Sequence, residues 1–456
     1  MKKKIFFYIL LIISIYFIAG YTINKNIFSS LRSYVSNENK FLIKKYFFPH
    51  KYISQLEKEI LRNKSRSDIH NVFFAVKKEI NFKKSLNDFK TKKKIKKILS
   101  NDSVLFKYSL SHVFLTGINH TIPGSGYIDF HNNDLFILSA RGILGYSANI
   151  GDEIIFKQIQ NNLNNFIGLN QFYKGNWFSF KDLLIHNNTI FVSFTEEIKK
   201  NCWNTSVVYG KLNYEDIKFN KLFTNDSCIN SHDNIDKEFN AHQSGGRMIG
   251  FDNDHILLST GDYRSRFLSQ NKKSNNGKII KINLNSKSTK LVSMGHRNPQ
   301  GLYLDKKNKF ILETEHGPKG GDEINLINLD ELNNKNIPNF GWPIASAGEH
   351  YKDPNGDKYK KYPLYKSHSK YGFIEPLKSF VPSIGISEIV KISEKEYAVG
   401  SLKERAIYFF ELDSEKQITN LKKVKIFERI RDLKFYNNKL YLLLEDTASI
   451  GIISFE

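Results

Sequence analysis

The sequence predicts an all-β protein, a six-bladed β-propeller preceded by an N-terminal transmembrane helix and a helical extension. Three observations carry this prediction. Six segments share one pattern: an apolar alternating run, a turn rich in Asn, Asp or Lys, then a second apolar run ending near Ser, Thr or Glu. Their spacing is irregular, roughly 45 to 85 residues, as blades with loop insertions require. The first 105 residues lack the pattern and carry apolar positions at helical spacing instead.

The chain opens with Met1 and three lysines, followed by Ile5 to Ile23 without a charge. A bilayer crossing needs roughly 20 apolar residues, and lysines in front favour a cytoplasmic N-terminus. Residues 1–23 are therefore read as a transmembrane anchor or a signal segment. The anchor is preferred, because Ile18 stands where signal cleavage at Ala19-Gly20 would want a small residue. In either case the remainder is expected in a bacterial periplasm, anchored to the inner membrane or released there after cleavage. Residues 24–105 read as a basic helical extension, with "HKYISQLEKEILRNKSRSDIHNVFFAVKKEI" at helical spacing and the lysine-rich "KTKKKIKKIL".

The region 110–456 holds the six units. They are "GYIDFHNNDLFILSARG" (126–142), "KDLLIHNNTIFVSFTEE" (181–197), "GRMIGFDNDHILLSTGD" (246–262), "GLYLDKKNKFILETEHG" (301–317), "SEIVKISEKEYAVGSLK" (387–403) and "RDLKFYNNKLYLLLEDT" (431–447). Each reads as a hairpin, because Asn- and Asp-rich turns tolerate the backbone that tight hairpins need. "KIIKINL" and "IYFFEL" read as outer strands that complete blades. An irregular β-sandwich is the alternative fold, but six similar units favour radial repetition. Cys202 and Cys228 lie between hairpins and could form one loop disulfide in an oxidising compartment.

The chain carries 68 Lys plus Arg against 46 Asp plus Glu, a net charge of +22. A Lys/Asn/Ile-rich composition accounts for much of this. Affinity for an anionic membrane surface or acidic ligands is the sharper reading. A nucleic-acid partner is not expected, since no helix-turn-helix, zinc-finger or RNA-binding signature occurs.

The repeat implies a geometry. Residues just before a first strand and just after a second strand lie at one end of the hairpin, opposite the turn. In a propeller those ends ring one mouth of the channel. His242, in "AHQSGGR", and Arg297 and Asn298, in "GHRNPQG", precede first strands. Arg429 and Arg431 open the last hairpin in "ERIRD", while Gly317-Pro318 and Lys403 follow second strands. Arginines at such a mouth suit a small polyanion, because guanidinium binds carboxylates in bidentate fashion. His242 is the best proton acceptor among them. Adjacent carbonyls at Gly317 and Pro318 offer oxygen to a hard cation such as Ca²⁺, although a plain strand-ending turn explains Gly-Pro as well. Asp322 and Glu323 are expected to support this loop by accepting backbone hydrogen bonds.

The segments "HQSGGRMIGFDNDHILLSTGD", "MGHRNPQGLYLD", "ETEHGPKGGDEINLI" and "NFGWP" resemble the soluble quinoprotein glucose dehydrogenase family, also called the glucose/sorbosone dehydrogenase family. The resemblance covers about 110–456 and is densest over 241–343. It implies a six-bladed propeller that uses pyrroloquinoline quinone (PQQ) with Ca²⁺ to oxidise the anomeric hydroxyl of an aldose to its lactone. By resemblance His242 is the general base and Arg297 polarises the quinone carbonyl. Asn298 and Lys403 are cofactor contacts, and Arg429 and Arg431 hold the PQQ carboxylates. The carbonyls of Gly317 and Pro318 are ligands of the cofactor-bound Ca²⁺. A second, structural Ca²⁺ through Tyr351 and Asp353 in "GEHYKDPNGDKY" is a further expectation, against the simpler account of a Gly/Asp turn.

The implied partners are a sugar substrate and an electron acceptor of unknown identity. This sequence departs from the family at Ala241, where the best-known glucose enzymes carry an acid, and at Phe340, where Tyr is usual. "NWFSFKDLLIH" shows no match for an early glutamine cofactor contact. The alternatives are a propeller of the same family that binds a glycan or protein without catalysis, and a lactonase-type hydrolase, for which the mouth is too cationic. A nicotinamide enzyme is not expected, because no GxGxxG follows a strand.

Overall fold

The computed structural model describes residues 89–98, 103–110, 125–139, 142–148, 150, 154–167, 180–225, 227–333, 337–351 and 357–455. All of them lie in one compact unit, Lys64–Glu456. Six antiparallel sheets of four or five strands form six blades; four run inside to outside in chain order, while the first and the sixth are completed on their outer side by strands from earlier in the chain. The inner strands are Gly126–His131, Phe180–His186, Gly245–Asp252, Pro299–Asp305, Ile386–Lys391 and Ile430–Tyr436. Each packs beside the next, and the sixth returns to the first. All six sequence hairpins are these inner strands with their second strands. "KIIKINL" and "IYFFEL" supply the third strands Lys278–Asn283 and Ala406–Leu412.

The turns follow from their residues. Asn187-Asn188 and Asn437-Asn438 both take positive φ, 50° and 55° in the first pair and 46° and 56° in the second. Two-residue hairpin turns of type I′ need this at both central positions, and Asn tolerates it.

The core is six apolar seams, one between each pair of neighbouring blades. Successive side chains on a strand point to opposite faces. Ile256 and Leu258 therefore enter the seam with the second blade, while Leu257 enters the seam with the fourth. Leu440, Leu442 and Leu444 likewise face the fifth blade, while Tyr441 and Leu443 face the first. Second strands are covered on both sides, so they read as continuous apolar runs rather than as alternation.

The ring closes through the N-terminal side. Strand Val104–Ser109 pairs with the C-terminal strand Ser449–Ser454 and forms the outer part of the sixth blade. Lys92–Ile98 adds a fifth strand to it, and Phe89–Lys90 adds one to the first blade. This corrects the helical reading of 24–105 over its last part, and it moves the propeller's start before residue 110. Helical spacing is a local signal, but here the competing demand is backbone pairing with the open edge of a sheet. The expected anchor at 1–23 and the rest of the extension lie outside the described residues. Among the described residues no helix is long and apolar enough to cross a membrane.

Cys202 and Cys228 form a disulfide, with Cα atoms 5.2 Å apart. It joins the third strand of the second blade, Cys202–Lys211, to the short strand Ile229–Asn230 that pairs with its beginning.

Candidate active site

A cavity of about 500 Å³ opens at the end of the ring where inner strands begin and second strands finish. His242, Arg297, Asn298, Gly317, Pro318, Lys403, Arg429 and Arg431 all line it. The convergence expected from the repeat therefore occurs, with groups from the third, fourth, fifth and sixth blades at one rim.

His242 sits in a single 3-10 turn, Ala241–Gln243, that leads into the third inner strand. The Asn240 side chain accepts its backbone N–H at 2.9 Å and fixes the turn. Burial, then the charges of Lys181 and Arg431, push the imidazole down to about 3, against an opposing pull from Glu445. The ring is thus neutral at physiological pH, the state a proton acceptor starts from. Anionic ligands that offset the surrounding cations would raise its basicity.

Arg297 is fixed at both ends. Its backbone N–H donates to Glu315 Oε2 at 2.6 Å, and its guanidinium donates to the His316 carbonyl at 2.9 Å. The guanidinium also stacks 5.4 Å from the Trp342 ring centre. Asn298 accepts from the Gly245 N–H at 3.2 Å and from Gln300 Nε2 at 3.1 Å, tying two inner strands together. Arg429 and Arg431 share the buried Glu445, their Nε atoms lying 2.9 and 2.7 Å from its two oxygens. Burial works against the carboxylate, but Arg431 and Arg429 hold it below the ordinary range. Two guanidinium groups are thus presented side by side on a rigid base. Lys403 Nζ donates to the Ser383 carbonyl at 2.9 Å.

The loop after the fourth blade's second strand is held by Asp322. Its carboxylate accepts from the Gly317 N–H at 3.1 Å, from Gly385 at 2.7 Å and from Ile386 at 3.1 Å. A Cβ on Gly317 would stand 1.9 Å from the Gly321 carbonyl oxygen, so only glycine fits. Among the described residues nothing donates to the Gly317 carbonyl, and the Pro318 carbonyl receives only Ser383 Oγ at 3.4 Å. Under-used carbonyls beside a carboxylate are suitable oxygen donors for a hard cation.

Some expectations need correction. Glu323 does not bond the loop backbone; it is buried, with its Oε1 3.7 Å from His368 Nε2. Tyr351 is exposed and lines this same cavity, and Asp353, its expected partner at a second Ca²⁺, lies outside the described residues. Ala241 faces away from the cavity and packs with Trp203, Ile229 and Tyr263. Phe340 is buried in the seam between the third and fourth blades.

Other lining residues escaped the sequence reading: Lys181, Gln243, Arg264 and His316. Lys181 lies inside "NWFSFKDLLIH", on the second inner strand. A Lys-Asp pair inside an otherwise apolar strand was the available signal. Asp182, pointing the other way, accepts from the Met248 N–H at 2.7 Å and pairs with Arg247 at 2.7 Å. Arg247 also reaches Glu388 at 2.7 Å and Asp432 at 3.0 Å. Four inner strands are thereby pinned together in the channel, next to Tyr127 of the cavity wall. Behind Arg297, the buried His296, Glu313 and Glu315 form the group among the described residues that is close enough to share a metal ion. Asn325 Nδ2 donates to both carboxylates, at 2.9 and 3.1 Å, which accounts for the acidic residues of "ETEHG" as internal supports.

Residues 180–453, more than half of the chain, match the family model described as Glucose / Sorbosone dehydrogenase. The chain is 28% identical over 220 residues to an uncharacterised protein of Synechocystis, covering 42% of this chain but only half of that relative. It is 22% identical over 285 residues to aldose sugar dehydrogenase YliI of Escherichia coli, covering 57% of this chain and 71% of the relative. The PQQ-bound aldose sugar dehydrogenase of Streptomyces coelicolor superposes with a TM-score of 0.53 at 17% identity, over 75% of this chain and 95% of that one. That last likeness is one of fold.

Proposed function

The chain belongs to the glucose/sorbosone dehydrogenase family, and from that premise we propose that it oxidises an aldose at the anomeric carbon to the lactone, using PQQ and Ca²⁺. One observation supports this above the others: four blades bring a neutral imidazole, an anchored arginine, a paired-guanidinium fork and a bare carbonyl pair to one cavity. The residues present fit the cofactor's chemistry. PQQ is a tricarboxylate, and Arg429, Arg431 and Lys403 are the cations that would hold it. The Gly317 and Pro318 carbonyls would hold its Ca²⁺.

When bound, PQQ supplies the two-electron acceptor for the hydride that leaves the sugar carbon. His242 takes the proton of the anomeric hydroxyl, which its neutral state allows. Arg297 would serve as a fixed hydrogen-bond donor to the quinone, and its buried anchors would spare it reorganisation. Asn298 holds the strand start and lines the cavity beside it. The Glu445 base keeps Arg429 and Arg431 in register for carboxylate recognition.

The test is reconstitution of the purified full chain with PQQ and Ca²⁺. Absorbance titration reads cofactor binding, and sugar-dependent reduction of an artificial acceptor reads turnover, with His242→Ala as control. Binding and His242-dependent turnover are expected. Tight PQQ binding without turnover of any aldose would favour a ligand-binding propeller. No PQQ binding at micromolar concentration would remove the enzyme reading. Periplasmic placement and membrane attachment through residues 1–23 remain part of the proposal, tested by fractionation of cells before and after a high-salt wash.

A further inference from the structure

The cavity holds more positive charge than the roles above use. Of its lining cations, Arg297, Lys403, Arg429 and Arg431 serve the proposed cofactor, but Lys181, Arg264 and Lys319 do not. Among the described residues the one lining carboxylate is Asp322, and its oxygens are committed to backbone N–H groups. Lys181 is the decisive residue. It is buried on the second inner strand, 7% exposed, and no carboxylate or hydrogen-bond acceptor among the described residues pairs with it.

Its placement is built. Gly246, at φ +114°, gives up the space that its Cβ would take, 2.4 Å from Lys181 Cβ. The lysine stem thus runs past the neighbouring strand into the cavity. There its amine lines the same cavity as His242, and its charge is among those that hold the imidazole's basicity down. An unpaired buried amine is costly as a cation, and burial pushes Lys181 down to about 7. An anion brought beside it would restore the charge and gain a charge-assisted hydrogen bond. Arg264 is a further cation of the cavity lining. It leaves the backbone at φ +69°, and Glu238 is as far as 4.0 Å from it.

We propose that the substrate is an acidic saccharide, a hexuronate or a sugar phosphate, whose anionic group pairs with Lys181 while its anomeric hydroxyl faces His242. This rests on the dehydrogenase reading for its chemistry, though not for its anion site. Neutral sugars leave Lys181 unpaired in the cavity.

The experiment compares glucose, glucuronate and glucose 6-phosphate on the reconstituted full chain, reading kcat/KM for each. One of the two anionic sugars is expected to exceed glucose by about ten-fold or more, as one charge-assisted contact provides. The arm that wins identifies carboxylate or phosphate. Lys181→Met is expected to bring the anionic-to-neutral ratio towards one, and Lys181→Arg to keep it. The ratio is read within each variant, so a general loss of activity does not obscure it. Glucose equal to or better than both anions overturns the proposal. So does Lys181→Met lowering all sugars alike together with PQQ affinity, which would place the amine on the cofactor. If PQQ does not bind the wild-type chain, the dehydrogenase reading falls. Calorimetric titration of both anionic sugars into that protein then decides the anion site alone. Binding that Lys181→Met abolishes upholds it, and no binding overturns it.

Discussion

At the scale of single residues, the cavity's chemistry turns on which groups are kept uncharged and which are held in place. His242 is neutral because it is buried among cations. Replacing it with alanine is expected to lower kcat by about 10²- to 10⁴-fold, the usual weight of a general base, while PQQ affinity changes little. Stopped-flow reduction of the bound cofactor checks this. Arg431→Met leaves Glu445 with one guanidinium fewer and removes a carboxylate contact. A lost charged hydrogen bond of about 1.5–3 kcal/mol should weaken PQQ binding roughly 10- to 100-fold in an absorbance titration. His316 carries a pH signature. Burial and the charges of Arg431, Arg297 and Arg429 lower it to about 4, against a pull from Asp322. Its unfolded value is about 6.5. Between these values the unfolded chain binds a proton that the folded one refuses, so this histidine's contribution to stability is full above about pH 6.5 and is lost as pH falls towards 4. The difference in urea midpoint between wild type and His316→Gln should shift in favour of the variant across that window. A difference that does not change with pH would sink the assignment.

At the scale of elements, loops and hairpin ends matter more than strands. The Gly317 loop tolerates no side chain, because the Gly321 carbonyl occupies the place of a Cβ. Gly317→Ala should displace the loop, and Ca²⁺-dependent PQQ affinity should fall with it, while far-UV circular dichroism stays that of a β protein. An alanine variant with unaltered Ca²⁺ dependence would show that these carbonyls hold no ion. The Cys202–Cys228 disulfide spans 26 residues and ties a short edge strand to the second blade. Closing a loop of that length is worth about 3 kcal/mol in the chain-entropy account. Cys202→Ser with Cys228→Ser should therefore lower the thermal midpoint, and reductant should reproduce the loss in wild type only.

At the scale of the whole molecule, a ring of blades is stable only if it closes. The closing strand Val104–Ser109 comes from before the first hairpin and pairs with the last strand of the chain. A chain beginning at residue 110 lacks it, exposing the outer edge of Ser449–Ser454 and part of the seam that holds Tyr108. It should be less stable and more prone to associate than one beginning at residue 89, as read by thermal midpoint and light scattering. Equal behaviour of the two would show that closure does not depend on this strand.

Much of this was legible beforehand, for a local reason. Hairpins announce themselves through alternation and Asn turns, so six units, one mouth and the eight residues at its rim follow from short stretches of sequence. Their chemistry is carried by residue types that stand out among apolar strands. Long-range pairing leaves no such trace. That Lys92–Ile98 and Val104–Ser109 are strands of the sixth blade depends on an edge offered more than 300 residues away. That Lys181 enters the cavity depends on a neighbouring strand yielding space at Gly246. The sequence by itself determined the repeat and the side of the ring that carries polar groups, since both follow from nearest neighbours along the chain. Only the tertiary structure decided how the ring closes and which charges are left unpaired, because those depend on what other strands bring within a few ångströms.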